Sequence, residues 1–200
     1  MPKLTFFNLP EDKKQTLLEA AKKEFSNVPL FDASISNIIK SAGISRGSFY
    51  QYFEDKEDAF FFLLGEFAKE KKESFLFMLE RDEGDIFQTF IDFFELFLKE
   101  AENLAFLKTA LLNMTHKIER MFDKMISEQE INDNFKKLCS RINISKLNVS
   151  DEVELFHALQ IITSVMLRNL IHSFAHDLSR EMAMKNFMTE INLLKKGLVR

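Results

Sequence analysis

From Leu30 to Arg200 this chain contains no proline, and its 200 residues hold only five glycines. Proline breaks helix interiors and glycine weakens them, so a chain this sparing of both can be helical along most of its length. Strand signals, meaning β-branched alternation closed by Asn-Gly or Gly-Gly turns, are missing as well. An all-α fold is the expectation. The length suits one or two domains with a substantial core, and 46% apolar with 29% charged residues is a globular balance.

The local signals divide the chain into helices. Pro10 opens one well, with Glu11 and Asp12 facing the positive end of its dipole. Leu17, Leu18, Ala21 and Phe25 form its apolar stripe, and Asn27 to Asp32 ends it. Ser34 can cap a short second helix with Ile35, Ile38, Ile39 and Ala42 on its apolar side. Gly43 supplies the following turn, because glycine tolerates positive φ. Ser45 can cap a third short helix, with Phe49 and Phe53 on its inner face. Asp55 can cap a fourth, with Asp58 as a weaker capping-box partner, running from Lys56 towards Glu80. Beyond the break at Gly84-Asp85, helices are expected near Asp85–Glu100, Asn103–Met114, His116–Cys139, Ser150–Ala175 and Ser179–Leu198.

Two short helices joined by a glycine turn make a helix-turn-helix unit. The stretch SISNIIKSAGISRGSFYQYFEDKEDA resembles the DNA-binding module of TetR-family transcriptional regulators. The residues carrying the resemblance are Ser34, Ala42, Gly43, Ile44, Ser45, Gly47, Ser48, Phe49, Tyr50, Tyr52, Phe53, Lys56 and Glu57. It covers residues 10 to 60, under a third of the chain. One departure precedes the second helix: many members carry a Gly-aromatic pair where this chain has Asn27-Val28-Pro29-Leu30-Phe31. The resemblance implies a three-helix DNA-binding domain over 1–55 and a helical-bundle domain for ligand binding and dimerisation over 56–200. The competing reading of the same stretch is a glycine-turned helical hairpin with ordinary capping serines.

The residue types suit duplex DNA on physical grounds. A recognition helix places its first residues nearest the bases. Arg46 lies in that first turn, and a guanidinium fork can pair with guanine O6 and N7. Gln51 can pair with adenine or touch a phosphate. Gly47 lets backbone approach DNA or a neighbouring helix. Ser34, Ser45, Ser48 and Tyr50 offer hydroxyls to phosphates, contacts that position without reading sequence. Lys56 stands in the first turn of its helix, where a cation opposes the dipole; a bound phosphate would reverse that cost. In the TetR family this position contacts the DNA backbone. Charge argues the other way: residues 10–58 carry seven Lys/Arg against nine Asp/Glu, within a chain of net charge −4. Nonspecific affinity comes mainly from phosphate neutralisation, so broad attraction to nucleic acid is weak.

The rest of the chain is rich in phenylalanine, with twelve of 23 between Phe60 and Phe106. A helix apolar on several sides is buried on several sides, so a thick core is one reading. A cavity for a small hydrophobic ligand is the other, and the resemblance favours it. Its candidate lining is Phe67, Phe90, Phe94, Phe97, Leu107, Leu111, Met114, Phe122 and Met166, with His116 and His157 as orienting groups. Between Glu152 and Phe174 one apolar row holds Leu155, Leu159, Ile162, Met166 and Leu170; Ala158, Ile161, Val165 and Ile171 lie beside it. The resemblance implies a homodimer through the last two long helices, while the residues alone also fit a closed monomeric bundle.

Other chemistries find little support. His172 and His176 share a helix face near Asp177, without an evident third metal ligand. No Walker loop, dinucleotide fingerprint or nucleophile elbow occurs. Neither an enzyme nor a cofactor is expected. Cys139 stands near Lys136, Lys137 and Arg141, which could depress its pKa; a buried, inert thiol is the favoured reading. A single cysteine, a start without a signal-like apolar region and no apolar run of roughly 18–20 residues point to a reducing cytoplasm and no membrane. The expectation is a ligand-responsive TetR-like repressor that binds a palindromic operator as a dimer. The alternative is a helical carrier or sensor of hydrophobic molecules without DNA binding.

Overall fold

A computed structural model describes residues 1–118 and 133–199. Its α-helices, numbered here among the described residues, are α1 (Leu4–Phe7), α2 (Glu11–Asn27), α3 (Ile35–Ala42), α4 (Arg46–Tyr52), α5 (Lys56–Arg81), α6 (Ile86–Lys99), α7 (Ala101–Leu112), α8 (Asp133–Cys139), α9 (Glu152–Ala175) and α10 (Arg180–Leu198). A 3₁₀ turn spans Ile144–Lys146. No strand occurs among the described residues, only an isolated antiparallel bridge between Leu147 and Val199. The all-α expectation holds. The expected helix His116–Cys139 lies partly outside the described residues, which resume in α8 at its end. The short α1 has no counterpart in the sequence reading.

The chain forms two compact units. The first comprises Met1–Glu70 with Glu102–Asn113, and the second Lys71–Ala101 with Met114–Arg200. In the first, α2 packs on α3, α3 on α4, and α1 on α4. Its core follows the aromatic spacing. Phe25, Phe60 and Phe106 form an edge-to-face chain, with centroids 5.2 and 5.3 Å apart. Phe6, Phe53 and Phe62 form a second cluster. Edge-to-face geometry suits the ring quadrupole. Thr109 Oγ1 donates to the Ser26 carbonyl at 3.0 Å, tying α7 to the end of α2.

The start of α3 differs from the sequence expectation. The Ser34 side chain makes no capping bond. Instead Glu24 Oε1, from α2, accepts the Ser34 N–H at 2.8 Å and the Asn37 Nδ2 at 3.1 Å. A carboxylate at a helix N-terminus both satisfies an open amide and complements the dipole. Glu24→Ala should therefore destabilise the protein by about 1 kcal/mol, the usual cost of a lost cap, read as a lower urea midpoint. An unchanged midpoint would mean that the Ser34 hydroxyl takes over.

In the second unit, α6 packs on α10 and α9, and α9 on α10. Phe94 and Phe187 stack at 4.1 Å between α6 and α10, both fully buried. Asn169 is buried and satisfied, donating to Glu190 Oε2 at 2.8 Å and to the Val165 carbonyl at 2.9 Å. Arg168 pairs with the same carboxylate. The end of α5 is closed by two bonds: Gly84 N–H to the Leu79 carbonyl at 2.9 Å, and Glu83 N–H to the Glu80 carbonyl at 3.2 Å. This is a Schellman closure, with Glu83 at φ 53° and Gly84 at φ 77°. No helix among the described residues is long and apolar enough to cross a membrane.

Candidate nucleic-acid interface

The candidate interface is built from α3, its turn, α4 and the start of α5. Gly43 closes α3 in the left-handed region, at φ 66° and ψ 29°, and turns the chain into α4. Ser45 caps α4: its Oγ accepts the Ser48 N–H at 3.0 Å and lies 2.9 Å from the Ser48 hydroxyl. Phe49 and Phe53 are fully buried, as their spacing predicts. That rotation leaves Arg46, Gly47, Tyr50 and Gln51 exposed and Ser48 half-buried.

The exposed groups interact with one another. The Arg46 guanidinium lies 5.8 Å from the Tyr50 ring centroid, and Nη2 is 3.5 Å from Tyr50 Oη. The two side chains, one helical turn apart, pre-order each other on one face of α4. Gly47 has an informative environment. A Cβ there would meet only Ser45 Oγ, at 3.7 Å. Internal packing therefore gives no reason for glycine, and of the two uses open in the sequence, close approach to a neighbouring helix falls away.

Ser34 is half-buried at the start of α3, without a side-chain capping bond. Lys56 is also half-buried, and its Nζ donates to the Phe31 carbonyl at 2.6 Å and the Ala33 carbonyl at 2.9 Å. The ammonium therefore closes the Pro29–Ala33 turn, which replaces the Gly-aromatic pair, and keeps a third N–H for another acceptor. Phe31 itself is 71% exposed. The first turn of α5 is less open than the dipole argument assumed. Asp55 Oδ1 accepts the Asp58 N–H at 2.8 Å, and Asp58 Oδ2 accepts the Glu54 N–H at 3.2 Å.

Three contributors were not legible in the sequence. Lys3 and Thr5 donate to the carbonyls at the end of α4. Their only advance signal is the apolar pair Phe6-Phe7 ahead of Pro10, too short for a helical period. Glu24, the cap of α3, acts over ten residues, beyond any local motif.

The candidate ligand-lining residues are distributed over both units. In the first, Phe67, Leu107 and Leu111 are buried. In the second, Phe90, Phe94, Phe97 and Met166 are buried, Met114 is half-buried, and His116 and His157 are exposed. Phe90 packs edge-to-face on Phe75 at 5.1 Å and Phe97 on Phe93 at 4.9 Å. Phe122 lies outside the described residues. His157 lines a shallow groove of about 620 Å³ on α9 with Gln160, Ile161, Ser164, Val165 and Arg168. Rings of His172 and His176 are 4.5 Å apart, and no group of three potential metal-ligating side chains occurs among the described residues. Cys139 is buried, and burial followed by the charge of Glu152 pushes its thiol pKa up.

Comparison with known proteins agrees with this architecture. Residues 17–61 match the family described as bacterial regulatory proteins, tetR family. Residues 85–198, more than half of the chain, match the tetracyclin repressor-like C-terminal domain. An uncharacterized HTH-type transcriptional regulator of Bacillus subtilis, YdgC, is 43% identical over 56 residues, covering 28% of this chain and 29% of that protein. The HTH-type transcriptional regulator HbdR of an Aromatoleum strain is 38% identical over 56 residues, 28% of this chain and 24% of that protein. The similarity thus spans under a third of either relative. Among solved structures, SmeT, the repressor of the Stenotrophomonas maltophilia multidrug efflux pump SmeDEF, aligns with a TM-score of 0.68 and 15% identity. That alignment covers 95% of this chain and 93% of SmeT. FadR of Bacillus halodurans, a fatty acid degradation regulator, aligns with a TM-score of 0.64 and 15% identity over 90% of this chain and 96% of its own. At such identity the structural likeness speaks for the fold, while the sequence matches cover both the helix-turn-helix and the helical body. The chain belongs to the TetR family of transcriptional regulators.

Proposed function

We propose that the protein is a ligand-responsive repressor that binds a palindromic operator as a homodimer in the cytoplasm. The observation that carries the reading is the outer face of α4, where Arg46, Tyr50 and Gln51 are exposed around a glycine that packing does not require. Arg46 and Gln51 are assigned to base edges. Ser34, Ser45, Ser48 and Tyr50 are assigned to phosphates, along with the remaining N–H of Lys56. Residues 1–55 form the DNA-binding domain in this reading, and residues 56–200 bind the effector and the second protomer.

Support for a dimer comes from α9. Its first apolar row, from Leu155 to Leu170, is buried, whereas Ile161 beside it is 48% exposed within the groove that His157 borders. A second copy of α9 and α10 would cover that face, and a two-fold protein would then read two half-sites about one helical turn or more apart. The effector is a small hydrophobic molecule held among the phenylalanines and methionines of the helical body. SmeT, a repressor, and FadR, a regulator of fatty acid degradation, share the fold and accord with this class of response. Effector binding lowers operator affinity by favouring a dimer with its two recognition helices at an unproductive separation. That coupling requires unequal affinity of the effector for the two states.

The division of labour is testable with single substitutions. Arg46→Ala should relax base preference at one position of each half-site, costing about 1–3 kcal/mol there. Lys56→Ala and Tyr50→Phe should weaken binding to all duplexes alike. Binding to a panel of point-mutated duplexes distinguishes them. Equal losses on every duplex for all three variants would contradict the assignment.

A further inference from the structure

The last carbonyls of a helix have no partner within it, and α4 is only seven residues long, well below the roughly 12–15 at which an isolated helix becomes marginal. Here those carbonyls are met from the other end of the module. Lys3 Nζ donates to the Tyr50 carbonyl at 2.8 Å, the Thr5 hydroxyl to the Gln51 carbonyl, and the Lys3 N–H to the Tyr52 carbonyl at 2.8 Å. An ammonium at a helix C-terminus also complements the dipole. The donors are held in place by α1. Phe6 is fully buried, 5.0 Å from Phe53 and 5.1 Å from Phe62, and the Lys14 ammonium lies 6.0 Å from its ring centroid.

We propose that the segment Lys3–Phe7 is a clamp that positions the recognition helix, with Lys3 and Thr5 as positioning residues that do not themselves touch DNA. The inference rests on the reading of α4 as that helix. Tyr50 and Gln51 carry two of the side chains assigned to DNA, and their own carbonyls are the ones clamped. Without the donors, the final turn of α4 frays. Ordering it again then falls on the binding step, and apparent affinity drops by the fraction of molecules already ordered.

The test compares the wild-type protein, the double variant Lys3→Met/Thr5→Val and the conservative pair Lys3→Arg/Thr5→Ser. Two quantities are read: amide hydrogen exchange in the peptide covering residues 46–53, and affinity across a salt series for a duplex that the wild-type protein selects from a random pool. In the Met/Val variant, exchange at residues 50–53 should rise about tenfold with α2 and α3 unchanged, which also certifies the fold. Affinity should fall about tenfold with an unaltered salt slope, and the Arg/Ser pair should restore both. Unchanged exchange overturns the clamp, as does raised exchange with intact affinity. A salt slope smaller by about one would overturn it too, by making Lys3 a phosphate contact. If the wild-type protein selects no duplex, the DNA-binding reading fails and the clamp's role in it fails with it. Selection by wild type with equal affinity in the Met/Val variant sinks the clamp alone.

Discussion

Gly84→Ala should destabilise the protein by about 2–5 kcal/mol. Gly84 sits at φ 77°, a region that costs an L-residue roughly 1–2 kcal/mol. An added Cβ would lie 2.6 Å from both the Arg141 carbonyl oxygen and the Asn143 nitrogen. Those are backbone atoms, and the Asn143 N–H is bonded to the Gly84 carbonyl at 3.0 Å, so neither can swing aside as a side-chain tip would. Overpacking of this sort adds about 1–3 kcal/mol. Gly43→Ala is the built-in control. It has nearly the same φ, 66°, but nothing within 4 Å of an added Cβ, so only the conformational cost remains. Urea denaturation should rank the two well apart, and similar midpoints for both variants would show that the α5–α6 turn relaxes away from residues 141–143.

A loss of comparable size is expected from Phe187→Ala. Phe187 is fully buried on α10 and stacks on Phe94 of α6 at 4.1 Å, with ring planes 26° apart. Removing a buried aromatic costs about 3–5 kcal/mol through lost transfer energy and the cavity left behind. Because the two rings share one contact, Phe94→Ala and Phe187→Ala should not add. The double variant should lose less than the sum of the singles, by roughly 0.5–1.5 kcal/mol for the ring pair. Strict additivity in a double-mutant cycle would place the stabilisation in each ring's burial rather than in their stacking.

Helix type was legible because it depends on local chemistry. The dearth of proline and glycine, the Ser45 cap, the Asp55–Asp58 pair and the Gly43 turn act within four residues of one another. Ser45, Asp55 and Gly43 behave in the structure as their types demand, while the Asp58 carboxylate reaches back to the Glu54 N–H, one residue before the cap. Phe49 and Phe53 were legible as inner-face residues for the same reason. What escaped the sequence was long-range. Ser34 reads as a cap, yet Glu24 performs that task from the preceding helix. Lys56 reads as an uncompensated cation, yet carbonyls 23 and 25 residues earlier hold it. The helix α1 spans one turn, too short for periodicity, and its purpose becomes visible only against the end of α4. Cys139 has cationic neighbours in sequence, but the charge that acts on it beyond burial is that of Glu152, on another helix. The ligand-lining candidates could not be sorted from sequence, since a phenylalanine in a packed core and one in a cavity wall carry the same periodicity.

The central claim is sequence-specific DNA binding by a dimer through α4. The most direct measurement is selection of duplexes from a random pool by the purified protein, followed by sequencing and anisotropy titration of the enriched duplex at two salt concentrations. The enriched duplex should be a palindrome with half-sites about one helical turn or more apart, bound far more tightly than a scrambled duplex and less tightly as salt rises. Failure to enrich any sequence, with equal weak binding to all duplexes or none, would contradict it.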